Sequence, residues 1–203
     1  MESIASTITR LFAGADKRDW RQVESTMDDK VLLDYTSMAG GTPTWLTPRQ
    51  ITDAWAAFLP GFDRTHHQLS DFEINETKDS ATAHYEGKAE HFIGKEIWVV
   101  EGRYDATLRK KEGNWVVSQF KFNLKAQSGN TQLPAIATDR MNSLQQQEQN
   151  RKVVDNFFTA LETPQFELLK TMFAENGRQL NPYAPEGFPK SFDGSEADRK
   201  SVV

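Results

Sequence analysis

His91 follows Ala81, Ala83, Tyr85, Gly87 and Ala89 at alternate positions of one stretch, so in a β-strand all six residues share a face. A face of Ala and Gly cannot fill the space above it, and a cavity remains. An imidazole there, with an ordinary pKa of about 6.5, suits general acid or base work. The plainer reading is a pocket histidine hydrogen-bonded for stability. Asp34 ends the apolar run Val31–Tyr35. A carboxylate at that place can orient His91 or take a proton itself, and a dyad of Asp34 and His91 is expected. The plainer reading is an Asp that makes a turn or caps a helix. His66 and His67 are adjacent, so on a strand at most one faces the cavity. A metal site built from His66, His67, His84 and His91 is disfavoured, because His84 and His91 have opposite parity on one strand. Tyr35, Tyr85 and Tyr104 can donate to a developing oxyanion or serve as core aromatics. Trp45, Trp55 and Trp98 read as pocket walls or core.

These residues need a frame to hold them. Ala81–Ile93, Ile97–Lys110 and Trp115–Leu124 each alternate with period 2 and read as three long antiparallel strands. Gly94–Lys95 and Glu112–Gly113–Asn114 are the turns between them. In the second strand Trp98, Val100, Gly102, Tyr104, Ala106 and Leu108 share a side. In the third, Phe120, Phe122 and Leu124 share one, and an apolar stripe on an outer sheet face suggests a dimer interface or a seat for the C-terminal segment. Upstream, Ile4, Ile8, Leu11, Phe12 and Ala15 form one face of an amphipathic helix. Asp19 can cap a second short helix that turns Trp20, Val23 and Met27 inward. Ser37–Pro43 reads as a loop. Thr47–Pro48–Arg49–Gln50 is a helix start, with Thr47 as N-cap, Pro48 at the first helical position and Gln50 closing a capping box. Helices first and antiparallel strands last is an α+β order. The expected architecture is a cone: a curved antiparallel sheet with the N-terminal helices on one face and a pocket at its open end.

Composition narrows the partners. The net charge is −5 with no Lys/Arg cluster, which argues against nucleic acid or an anionic membrane. Cysteine is absent, so thiol chemistry and disulfides are excluded. No apolar run reaches membrane-spanning length and no signal peptide is visible, so a cytoplasmic location is the default expectation.

The chain also repeats itself. Ile8, Phe12, Trp20 and Val23 recur as Val154, Phe158, Phe166 and Leu169 at an offset of about 146. With one extra residue, Leu33–Asp34 recurs as Leu180–Asn181, and Leu46–Thr47 then matches Phe192–Asp193. The second copy contains the helices and first strand but none of the long sheet. The expected organisation is a domain over 1–126, a linker over 127–138 and a partial second copy over 139–203, with a poorly ordered tail from Ala184.

Asp34–Tyr35 after the helical hairpin, His67-Gln-Leu-Ser-Asp71, Ala89-Glu-His91, Gly102-Arg-Tyr104 and Gly113-Asn-Trp115-Val-Val resemble the SnoaL-like branch of the nuclear transport factor 2-like superfamily. That group includes ketosteroid isomerase, scytalone dehydratase, polyketide cyclases and bile-acid dehydratases. The resemblance covers roughly residues 4–125, and Asn181–Phe188 looks like the opening of another such domain. Position 71, often Asn in such sequences, is Asp here. The resemblance implies Asp34, His67 and His91 as acid and base; Tyr35, Tyr85, Trp98, Tyr104 and Trp55, read from their own positions, are expected around the substrate. It implies no metal and no organic cofactor. The implied function is a cofactor-free lyase, isomerase or cyclase acting on a small hydrophobic carbonyl compound. The alternative is a non-catalytic binding or dimerising module of the same fold.

Overall fold

The computed structural model describes residues 3–163, together with 165, 172, 174, 177–180, 182, 183, 185–187 and 190–193. The chain divides into two compact units, Met1–Ser143 and Leu144–Val203.

In the first unit, α1 (Ile4–Lys17) begins at Ser3, whose hydroxyl accepts the Ser6 N–H. Its Ile4, Ile8, Leu11, Phe12 and Ala15 are buried, as the helical periodicity requires. The helix closes at Arg18 in the left-handed region, φ 59°. Asp19 then caps α2 (Trp20–Glu24) by accepting the Gln22 N–H. β1 (Met27–Asp34) leads into a single turn, α3 (Thr36–Ala39), which overlaps the stretch read as a loop. β2 (Thr44–Leu46) precedes α4 (Pro48–Ala56), whose capping box between Thr47 and Gln50 is formed in both directions. A short 3-10 turn, Leu59–Gly61, ends the helical part.

Four long strands follow: β3 (Arg64–Glu76), β4 (Ser80–Ile93), β5 (Glu96–Lys111) and β6 (Asn114–Gly129). The sheet order is β2-β1-β6-β5-β4-β3, curved and unclosed. β1 lies parallel to β6, so the sheet is mixed rather than wholly antiparallel as expected. The parities of β4 and β5 are as read: Ala81, Ala83, Tyr85, Ala89 and His91 are buried, as are Trp98, Val100, Tyr104, Ala106 and Leu108. In register, Tyr85 faces Tyr104, Gly87 faces Gly102 and His91 faces Trp98. The two glycines make room for rings. A Cβ on Gly87 would meet the Tyr104 ring at 2.3 Å, and one on Gly102 the Phe122 ring at 2.5 Å.

Two expectations fail here. Phe120 and Phe122 are 2% exposed and pack against Phe12, Tyr35 and Tyr104 on the inner face. Their stripe is core, and Gln119, Lys121 and Asn123 take the other face, so the argument for a homodimer through an outer apolar stripe falls. Nor is 127–138 a linker. β6 continues to Gly129, pairing Gln127 with Val100 and Gly129 with Trp98, and a new helix, α5 (Leu133–Glu162), starts four residues later. Its Leu133 and Ala137 are buried in the core of the first unit.

In the second unit Val153, Val154, Phe158 and Leu161 of α5 are exposed and Ala160 is buried. β7 (Arg178–Leu180) and β8 (Ser191–Asp193) form an antiparallel pair. Phe166 and Leu169 of the repeat, and most of the tail read as poorly ordered, lie outside the described residues.

Candidate active site

A cavity of about 280 Å³ opens inside the first unit. Its walls come from α1 (Phe12, Ala15), the α3 turn (Tyr35, Met38, Ala39), α4 and the turn after it (Trp55, Phe58, Leu59), and the sheet (Ala89, Trp98, Val100, Tyr104, Phe122). Two imidazoles, His67 and His91, complete it. No lysine, arginine or carboxylate is among these lining residues.

His67 sits on β3, where strand alternation turns it inward and His66 outward to Glu90. Its Nδ1 lies 2.7 Å from Asp16 Oδ1, and its backbone N–H donates to Asp16 Oδ2 at 2.8 Å. Thr65 Oγ1 adds a third bond to Asp16, 2.8 Å to Oδ1. Burial alone would raise the Asp16 carboxyl, but the hydrogen bonds and charge of His67, with the Thr65 hydroxyl, outweigh it and hold it below the usual carboxylate value. An ionised carboxylate only accepts, so the bridging proton belongs to His67 Nδ1. His67 Nε2 is then a free lone pair, on a ring that lines the cavity and contacts Phe12 at 4.9 Å. An Asp–His pair of this kind fixes the tautomer and stabilises the imidazolium that forms on proton uptake.

His91 lies with its ring centroid 6.2 Å from that of His67. It packs against Trp98 and Phe62, and its Nδ1 is 3.4 Å from the Trp98 carbonyl. Burial, with the neighbouring His67, takes its pKa down to about 4, so it is neutral at pH 7. Burial also raises the phenols of Tyr35 and Tyr104, which remain protonated donors.

Of the site residues read from sequence, His67, His91, Tyr35, Trp55, Trp98 and Tyr104 all line the cavity. Tyr85 does not; it is buried between the rings of Phe72 and Tyr104. Trp45 is half exposed on β2. The expected Asp34–His91 dyad is not formed. Asp34 turns instead to the chain just ahead of it, accepting the Thr36 N–H and hydroxyl at 3.0 and 2.6 Å, with Lys121 Nζ at 3.8 Å. These are the bonds of an Asx turn, by which Asp34 bends the chain out of β1 toward α3. The carboxylate of the site is Asp16, which the strand-based reading missed. A signal existed: Ile8, Phe12 and Asp16 are spaced by four, so Asp16 ends an apolar stripe. His84 pairs with Asp105 at 2.5 Å and takes no part in lining the cavity. Among the described residues no group of three or more His, Cys, Asp or Glu is placed to hold a metal ion.

The profile of the SnoaL-like domain matches residues 1–121. The chain belongs to the SnoaL-like family. No curated protein matches it. Among solved structures, this SnoaL-like chain is similar to the Kfla4162 protein of Kribbella flavida, at 24% identity and TM-score 0.61, over 65% of this chain and 94% of that one. It is similar to a hexachlorocyclohexane dehydrochlorinase, LinA type 2, at 14% identity and TM-score 0.51, over 63% and 88%. LinA type 3 of Novosphingobium barchaimii gives 14% and 0.50, over 63% and 90%. At these identities the likeness is one of fold. No helix among the described residues is long and apolar enough to cross a membrane.

Proposed function

We propose that this SnoaL-like domain is a cofactor-free acid–base enzyme acting on a small, neutral, hydrophobic compound. The observation that carries this reading is the Asp16–His67 pair at the wall of an apolar cavity, with Nε2 unpartnered among the described residues. His67 Nε2 takes a proton from a C–H beside a carbonyl or beside a leaving group. Asp16 stabilises the imidazolium. The proton then returns to another atom of the substrate or to the leaving group, which gives isomerase, cyclase or lyase chemistry by substrate. Phenols of Tyr35 and Tyr104 are the donors available to a developing oxyanion. His91, neutral and at the same wall, is the second base or a partner for a substrate hydroxyl. The dehydrochlorinase activity named for two structural neighbours is of this proton-abstraction type.

Substrate size and charge follow from the walls. A volume of about 280 Å³ lies at the low end for ligand sites, so the ligand is smaller than drug-sized. The apolar lining offers a carboxylate or phosphate no cationic side chain, so the substrate is uncharged.

The test is turnover of a panel of small carbonyl, hydroxy and halogenated ring compounds, with hits first ranked by thermal shift. Asp16→Asn and His67→Ala should each lower kcat/KM by about 10²–10⁴-fold. Undiminished turnover in both variants would overturn the reading. Tight binding of several compounds with turnover of none would favour the non-catalytic binding module instead.

A further inference from the structure

Arg18 occupies the left-handed position after α1, at φ 59°, a conformation that an L side chain adopts at a cost of about 1 kcal/mol or more. Its guanidinium turns back under the site. Nη1 donates to Thr65 Oγ1 at 2.8 Å and to the Asp16 carbonyl at 2.7 Å, and Nη2 donates to the Leu59 carbonyl at 2.9 Å. Thr65 is 7% exposed, and Arg18 is not among the cavity-lining residues.

Donor and acceptor roles along this chain are fixed by chemistry. A guanidinium has no acceptor, so Thr65 Oγ1 must accept from Arg18. A hydroxyl has one proton and two lone pairs; Arg18 engages one lone pair, and the proton points to Asp16 Oδ1, because an ionised carboxylate can only accept. Asp16 therefore receives three donors: the Thr65 hydroxyl, His67 Nδ1–H and the His67 backbone N–H. Without the Thr65 donor the Asp16 carboxylate would hold its charge less firmly; after taking up a proton from solvent it would donate to His67 Nδ1, and the neutral ring would then carry its own proton on Nε2.

We propose that Arg18, acting through the Thr65 hydroxyl, is a positioning residue that keeps the Asp16–His67 pair in the tautomer with its lone pair on the cavity side. This rests on the assignment of that pair as the acid–base centre. The titratable and charged groups facing Asp16 are Arg18 from its own element, His67 from β3 and, more distantly, His91 from β4.

The test is the ring-nitrogen NMR spectrum of neutral His67 in the full chain. The native protein should show one tautomer, protonated at Nδ1. Thr65→Val and Arg18→Gln should each move the tautomer ratio about tenfold toward the Nε2-protonated form, the worth of one charge-assisted hydrogen bond. Thr65→Ser, which keeps the hydroxyl, should restore the native ratio. A purely structural role predicts lower melting temperatures with the native ratio unchanged, and that result would overturn the proposal. Asp16→Asn is the control. If it leaves the tautomer untouched, the acid–base assignment itself falls; if it alone moves the ratio, Arg18 is not a positioning residue and the pair stands. Should Arg18→Gln fail to fold, the near-isosteric Thr65→Val carries the same two outcomes.

Discussion

His91 is a residue whose environment controls its charge between neutral and mildly acid pH. In the unfolded chain it titrates at about 6.5. In the native state burial beside His67 takes it down to about 4. Above pH 6.5 it is neutral in both states and its contribution is complete. As pH falls through 6.5 the unfolded state takes up a proton and the native state does not, so stability declines until pH 4, by about 3 kcal/mol in all. Urea unfolding followed between pH 7.5 and pH 4 should show this loss, and His91→Gln should remove that part of the slope while lowering stability at pH 7.5. An unaltered slope in the variant would mean that other groups set the acid response. That His91 faces a cavity was legible from period 2 alone. The partnership of His67 with Asp16 was not, because it joins a helix end to a strand 51 residues away. A helical wheel places Asp16 beside Phe12, yet only the packing of α1 on β3 tells that this place is a site and not solvent.

At the scale of elements, the smallest residues decide where the largest stand. Gly87 and Gly102 face each other across β4 and β5, and the rings of Tyr104 and Phe122 lie over the space that two Cβ atoms would fill. Tyr104 is buried between Tyr85 and Phe122 and cannot move aside freely. Gly87→Ala should therefore cost about 1–3 kcal/mol, as overpacking of a filled core does. It should also push Tyr104 toward the cavity and weaken ligand binding. Thr82→Ala, on the opposite face of the same strand, should change stability by less than about 0.5 kcal/mol. Chemical denaturation of the two variants compares them directly. The strands, their inward faces and the Thr47 capping box could be read from sequence because they depend on local periodicity and local hydrogen bonds. The parallel pairing of β1 with β6 could not, since no local pattern records which edge a short apolar strand joins. The polar run Lys125–Gly129 misled for a related reason: its side chains are exposed, so its composition is that of a loop while its backbone completes a ladder with the start of β5.

For the whole molecule, the repeat read from sequence has a counterpart in strand register. Leu33 pairs with Thr44 and Leu32 with Trp45 in the first unit; Leu180 pairs with Ser191 and Gln179 with Phe192 in the second. Each partner is displaced by 147, so the β7–β8 pair reproduces the β1–β2 pair residue for residue. The extra residue inferred before Leu180 persists through β8, one position beyond the match drawn from sequence. We propose that the second unit is the opening of another SnoaL-like fold. Among the described residues, each member of the buried cluster lies at or before Ala137. Leu133 and Ala137 are 1% and 0% exposed, a Cβ on Gly61 would meet the Ala137 carbonyl at 2.2 Å, and Arg140 donates to the Gly61 carbonyl and Asp63. The boundary of the folding unit therefore belongs after this first stretch of α5, not at the end of the sheet. A chain ended at Ser143 should keep a cooperative transition and the native His67 tautomer. A chain ended at Gly129 loses Leu133, Ala137 and the Arg140 contacts together, and should be less stable than the longer one by about 3–5 kcal/mol. Thermal and urea unfolding of the two truncations measure that difference. Equal stability would show that Leu133 and Ala137 merely cover a core that closes without them.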